Sequence, residues 1–193
     1  MASAITHFIV GAGLSLPAME VPALRGVIPR WAIPVTAGLF AVAPDLDTYA
    51  MLGFDIPRGS FFSHRGFFHS PFFLALLACA VAAMVAGGAA FRWLAVVWAG
   101  AAITHPLLDM LTDGGSGVML LFPVTTERLF FPWRPIRVSP LSIARFFARA
   151  NEILWSELPF CAAAVALGVA ARRLAAPATC GRALRNPHSR RRE

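Results

Sequence analysis

His105-Pro106-Leu107-Leu108-Asp109 places an imidazole and a carboxylate four residues apart. On a helix that spacing puts both on one face, within reach of a single ion, and Asp113 extends the face by another turn. Asp45-Leu46-Asp47 follows Pro44 at the end of an apolar run, where a carboxylate can bridge two metals. His64 and His69 bracket Arg65, whose planar guanidinium suits a phosphate oxygen. His7 lies inside the first apolar run, and the chain contains no Lys to pair with the carboxylates. Imidazole plus carboxylate is the ligand set of Zn²⁺, Mn²⁺ and Fe²⁺ sites. Such an ion brings the pKa of a bound water down towards ~7, and a second one steadies the transferred oxygen. The expected cofactor is one or two divalent ions, Zn²⁺ first and Mn²⁺ second.

The elements that must carry these residues are apolar. Of 193 residues 58% are hydrophobic and 14% charged, against roughly 45–50% and ~25% in an average soluble domain. An ordinary soluble globule is excluded. The expectation is an all-α, polytopic membrane bundle of about five segments. Phe67–Ala90, Phe91–Met110 and Ile153–Ala171 approach the ~20 residues that cross a bilayer. Ile5–Pro17 and Trp31–Pro44 are shorter and contain Gly and Pro, so they span with help from neighbours or dip in and return. Gly87-Gly88 marks a turn. From Asp113 to Asn151 the chain interleaves aromatic residues with Arg, as suits the headgroup layer. Residues 1–174 read as a membrane-embedded, hydrolase-like domain, and 175–193 as a basic, disordered tail. The N-terminus lacks the basic region of a cleaved signal peptide. Cys79, Cys161 and Cys180 show neither a disulfide framework nor a CxxC metal spacing.

Threading the segments alternately across the bilayer brings His7, Asp45, Asp47, His64, His69, His105, Asp109, Asp113, Glu152 and Glu157 to one membrane face. A re-entrant first pair leaves that convergence intact. Each residue has a plain structural reading: His105–Asp109 a hydrogen-bonded pair, His7 an interfacial histidine, Asp45 and Asp47 a helix stop, Glu152 and Glu157 capping or Arg-paired groups. Together they favour a cation, because a charged residue at the centre of a membrane helix costs on the order of 2.5–3.5 kcal/mol without a partner. The opposite face collects Arg25, Arg30, Arg92 and the seven arginines after Ala171. The positive-inside rule then turns the site outward, to the extracytoplasmic side.

Thr6-His7, Pro44-Asp45-Leu46-Asp47, His64-Arg65-Gly66-Phe67-Phe68-His69-Ser70 and His105-Pro106-Leu107-Leu108-Asp109-Met110-Leu111-Thr112 stand in an order that resembles the YdjM-like family of inner-membrane metal-dependent hydrolases. With the Gly-rich stretch to Leu121-Phe122-Pro123 they cover most of residues 4–140. Thr48 stands where that family often has His, and Asp113 where it often has Pro. More remotely, the order of an N-terminal His, an Asp, a His and a His-x-x-x-Asp is similar to the zinc-dependent phospholipase C and nuclease superfamily, although its second His-x-x-x-Asp/Glu helix is absent. These resemblances imply a bacterial inner-membrane location, a phosphate-ester substrate and bound metal.

The expected activity is hydrolysis of a phosphate ester or phospholipid headgroup by a metal-activated water. His7, Asp45, His64, His105 and Asp109 are the expected metal ligands, with Asp113, Glu152 and Glu157 as additional candidates. Asp47, His69 and Arg65 are the expected catalytic residues, one of His64 and His69 ligating while the other orients it or moves a proton. The expected partners are the bilayer and a phosphate-containing or lipid substrate; nucleic acid is not indicated. The rivals are a metal or proton transporter and a non-catalytic membrane scaffold.

Overall fold

The computed structural model describes residues 1–140 and 142–176. The basic tail read from the sequence lies almost wholly outside them. The described chain is helical: α1 (Ala4–Ser15), α2 (Ala32–Val42), the short α3 (Asp47–Gly53), α4 (Pro71–Val85), α5 (Gly88–Met110) and α6 (Ile143–Ala175). Two isolated bridges, Thr112 with Ile136 and Val118 with Leu129, tie the loop before α6 to itself and to the end of α5, and the described residues form no sheet.

Local chemistry sets the boundaries. Ser3 caps α1, its hydroxyl accepting from the Thr6 amide, and Ser70 caps α4 with Pro71 at the first helical position. That cap makes α4 shorter than the expected run from Phe67 to Ala90: Phe67–His69 is a separate 3₁₀ turn, and the helix ends at Val85 before the Gly87-Gly88 turn. Gly88 sits at φ +59, where a side chain would be strained. In contrast α6 starts ten residues earlier than the apolar run beginning at Ile153, so Arg145, Phe146, Phe147 and Arg149 are helical rather than part of an irregular stretch. No Gly or Pro lies between Pro140 and Pro159 to stop it. Among the described residues, α5 and most of α6 are the helices long and apolar enough to cross a bilayer. The 12-residue α1 and 11-residue α2 reach only about 18 Å at the ~1.5 Å rise of a helix.

α1 packs on α2, α5 and α6, while α2 and α4 pack on α5. Their shared core is built largely from Ala37, Ala41, Ala78, Ala82 and Ala101 around Leu94 and Trp98. Small side chains let helix backbones approach closely, the packing expected where no water drives association. At the α1–α6 crossing a Cβ on Gly168 would overlap the Gly13 carbonyl oxygen, so the two backbones touch there. Large apolar side chains face outward instead: Leu39, Met84, Val96, Leu167 and Leu174 are all more than half exposed. Such a surface suits lipid contact.

The start of α1, the turn after α2, the turn before α4 and the end of α5 come together at one end of the bundle. At the other end Glu20 pairs with both Arg30 and Arg172, joining the chain after α1 to the approach to α2 and the last turns of α6. The two ends differ in kind: one gathers buried imidazoles and carboxylates, the other a partly exposed arginine network.

Candidate metal centre

His105 is held by a bond from its ring to backbone: Nδ1 lies 2.7 Å from the Ala41 carbonyl oxygen at the end of α2. A carbonyl only accepts, so Nδ1 carries the proton and Nε2 is bare. His69 faces a carboxylate instead, its Nδ1 in ion-pair contact with Asp47 Oδ2 at 3.0 Å. The two Nε2 atoms face each other at 3.1 Å. Bare lone pairs at that distance repel unless a proton or a cation lies between them. Asp45 Oδ1 stands 3.4 Å from the first of these nitrogens and 3.8 Å from the second. Asp109 Oδ2 stands 3.8 and 3.9 Å from them. A tetrahedron with ~2.0–2.1 Å bonds to zinc has edges of about 3.3–3.4 Å. His69, His105 and Asp109 offer donors within 4.8 Å of one another, and so do His7, Asp45 and His105, so the cluster has the spacing to hold a divalent ion.

His7 completes the wall. Its ring stacks on His105 at 3.6 Å and 14°, and its Nε2 lies 3.5 Å from Asp109 Oδ1. His7, His69, His105 and Asp109 are fully buried, and Asp45 nearly so. Both oxygens of Asp45, both nitrogens of His7 and Asp109 Oδ2 lack a hydrogen-bond partner in the protein. Buried polar atoms are rarely left this way. The orphaned atoms are nitrogens and oxygens of metal-ligating type, and the set fits a divalent cation.

Burial alone would push the His69 imidazole down, but the surrounding Asp45, Asp47 and Asp109 carboxylates outweigh it and hold its pKa up at about 9, so without an ion a proton between the two Nε2 atoms relieves their repulsion, in the place a cation would take. Asp47 shows the converse: burial pushes it up, and the His64 and His69 donors hold it down at about 2. Burial lowers His64 below its ordinary value.

Arg65 sits beside the cage in a left-handed backbone conformation, φ +64. Such strain costs on the order of 1–3 kcal/mol for a non-glycine residue and persists only where surroundings impose it. Here the guanidinium is held by its surroundings: Nε is in ion-pair contact with Asp109 Oδ2 at 3.0 Å, and the two terminal nitrogens donate to the Gly114 carbonyl and to Thr112 Oγ1, both at 2.9 Å. The Ala2 amide donates to Asp109 Oδ1 at 2.8 Å, so Asp109 is fixed from two sides. His64 Nδ1 lies 2.8 Å from Asp47 Oδ1 and 3.2 Å from Thr48 Oγ1, while its Nε2 has no partner. That side chain lines a pocket of about 370 Å³.

The eight principal residues read from the sequence thus meet at one end of the bundle. The three additional candidates do not enter the cage. Asp113 accepts from Arg137 and the Val138 amide, and Glu152 forms an exposed pair with Arg149. Glu157 is buried, but both its oxygens serve the start of α1, accepting from the Ser3 amide, Ser3 Oγ and Thr6 Oγ1 at 2.5–2.7 Å. Sequence reasoning missed the Ala41 carbonyl, Thr112 and Arg128. Thr112 was readable as the residue three after Asp109 in the motif. Arg128, which ties Ser60, Ser63 and the His64 carbonyl together, carries no local signal.

An all-helical chain with an apolar outer surface and a buried His/Asp cluster that can hold a metal defines a class of membrane protein. The chain belongs to the YdjM inner membrane protein family, which it matches over residues 1–176. It is also similar to inner membrane protein YbcI of Escherichia coli K12, 33% identical over 172 residues that span 82% of this chain and 92% of the relative. No solved structure gives a significant match.

Proposed function

We propose that this protein is a membrane-embedded, metal-dependent hydrolase acting on a phosphate ester. The observation that carries the reading is the pair of oriented imidazoles facing each other at 3.1 Å, flanked by a carboxylate with no hydrogen-bond partner. His69, His105, Asp45 and Asp109 are the ligands, with His7 as a fifth donor. The nitrogen-rich donor set and its edge lengths favour Zn²⁺, with Mn²⁺ second. A divalent ion held there supplies Lewis acidity and a water acidic enough to attack near neutral pH. Asp47 orients His69 and His64 at once, as carboxylates behind ligating histidines do. His64, expected from sequence as a ligand, takes the proton-moving part, because its Nε2 is unpartnered and the side chain reaches the pocket. Arg65, expected to hold phosphate, instead fixes Asp109.

In this reading residues 1–174 form one unit with α1, α2, α4, α5 and α6 in the membrane, α1 and α2 being a short pair supported by their neighbours. The site faces away from the cytoplasm in this reading, because the opposite end carries Arg25, Arg30, Arg92 and the seven arginines after Ala171, ten against the seven at the site end.

The test is metal analysis of protein purified in detergent, followed by assay of phosphate or headgroup release from a lipid panel. The expected result is a stoichiometric ion that disappears, together with hydrolysis, in a His105→Ala/Asp109→Ala double variant. A folded, ion-free wild type would overturn the reading in favour of a scaffold. An ion without any hydrolysis, but with flux across proteoliposomes, would favour a transporter.

A further inference from the structure

Two pockets flank the cage and share a rim. The first, about 370 Å³, has walls that are largely apolar but carries basic and hydroxyl groups: Arg58, Ser63, His64, Arg65, Ser116 and Arg149 line it, and no carboxylate does among the described residues. Arg58 has no ion pair among those residues, and Arg149 meets only the exposed Glu152 on its own helix. The second, about 460 Å³, runs between α3 and the start of α6. Tyr49, Leu52, Phe146 and Phe147 make it apolar, and Asp45 of the cage also lines it. Met1, Ser139 and Pro140 border both.

The groove is not a buried core. Tyr49, Leu52 and Phe147 are 74%, 64% and 73% exposed, so large apolar side chains stand open beside a charged pocket. Such a patch calls for an apolar occupant, and its continuity with two guanidinium groups says what the other end of that occupant carries. Arginine pairs bidentately with phosphate. A pocket with Arg58 and Arg149 and no carboxylate repels an ammonium headgroup as well as attracting an anion.

We propose that the substrate is a lipid phosphate monoester, its phosphate held by Arg58 and Arg149 against His64 and its hydrocarbon chain lying in the groove between α3 and α6. The proposal rests on the hydrolase reading and narrows its substrate. Hydrolysis joins the oxygen of one water to phosphorus and breaks the bond from phosphorus to the ester oxygen. One proton of that water ends on the leaving alcohol, relayed through His64 Nε2, and the other stays on the released phosphate. The lipid alcohol remains in the groove and leaves into the bilayer. A soluble phosphate ester would fill only the basic pocket, and a zwitterionic lipid only the groove.

The test is native mass spectrometry of the full chain in maltoside micelles, with a dialkylglycerol phosphonate as a probe that cannot be hydrolysed. Phosphatidylethanolamine of matched chain length and methylphosphonate serve as comparisons. The lipid phosphonate should be retained at least 10-fold more tightly than either. Arg58→Gln/Arg149→Gln should remove the preference over phosphatidylethanolamine, and Leu52→Asp should weaken both lipids, all with wild-type melting and metal content. Equal retention of the two lipids, or an undiminished preference in the double variant, would overturn the proposal. Metal content and hydrolysis of a soluble phosphate ester, followed in parallel, separate the two failures. Ion and hydrolysis without lipid preference would sink this inference alone. Arginine-dependent lipid binding without an ion would sink the hydrolase reading alone.

Discussion

Asp47 meets two imidazoles at once, its Oδ1 hydrogen-bonded to His64 Nδ1 at 2.8 Å and its Oδ2 in ion-pair contact with His69 Nδ1 at 3.0 Å. Asp47→Asn keeps the shape but leaves one accepting oxygen for two Nδ1–H donors. If the amide nitrogen turns to His69, the ring must accept there, its proton moves to Nε2, and one of the four cage donors is lost. If the oxygen turns to His69, a neutral acceptor replaces a carboxylate and the ring becomes a weaker base. Losing such a supporting partner typically lowers metal affinity about 10–100-fold, which is roughly 1.4–2.8 kcal/mol. Competition for Zn²⁺ against a fluorescent chelator, on purified protein in detergent, measures this directly. Affinity within about 3-fold of wild type would show that Asp47 does not orient the ligand. A loss as complete as in His105→Ala/Asp109→Ala would show that Asp47 ligates the ion itself. Either result refutes the assignment of His69 as a ligand held from behind.

Other substitutions separate support of the fold from support of the ion. Glu157→Gln should cost about 1–3 kcal/mol, because a buried carboxylate accepting three donors is replaced by a group that accepts at one end only. A lower melting temperature with unchanged Zn²⁺ affinity is the expected signature, and a lost ion would return Glu157 to the ligand set. Gly115→Ala should destabilise by on the order of 1–3 kcal/mol, since φ is +101 and the new Cβ would overlap the Arg65 guanidinium. It should also weaken the ion as Arg65 is pushed off Asp109. Orientation is checked with Arg58→Cys and Arg92→Cys in a background lacking the native cysteines: an impermeant maleimide added to spheroplasts should label the first and spare the second.

Legibility followed the range of the physics. The His105–Asp109 pair was readable because a helix fixes four-residue spacing, and α5 runs unbroken through both residues despite Pro106. The convergence of His7, Asp45 and His69 was readable from alternating passage of the chain, which needs only segment count and order. The different orientations of the His64 and His69 rings were not. They depend on which ring turns its Nδ1 to Asp47 Oδ2 and its Nε2 inward, a choice made by the turn at Phe67–His69 and by the Ser70 cap. The contacts of Arg65 were hidden for a related reason. Its residue type suits phosphate, but its backbone conformation directs the guanidinium to Asp109, Thr112 and Gly114. The early start of α6 was hidden because its first ten residues are too polar to read as a membrane run, though nothing in them stops a helix.

The same packing weighs on the choice between a fixed ion and a passing one. A transport path needs polar groups continuing from the cage towards the arginine-bearing end. Below His105 the core is Ala41, Ala37, Ala101, Trp98 and Leu94, with Ala78 and Ala82 beside them. The hydroxyls in this region are already committed to helix carbonyls, Thr36 to Ala32 and Thr104 to Ala101, and the Trp98 indole donates to Thr36. An ion leaving the cage in that direction would shed its ligands and gain none. Towards the other side lie His64, Arg58 and Arg149, two of them guanidinium groups that repel a cation and attract an anion. The direction through the core therefore offers a divalent ion no ligands, the basic pocket repels it and favours a phosphate, and the groove beside Asp45 is otherwise lined largely by apolar side chains, an arrangement that supports the hydrolase reading over a transporter.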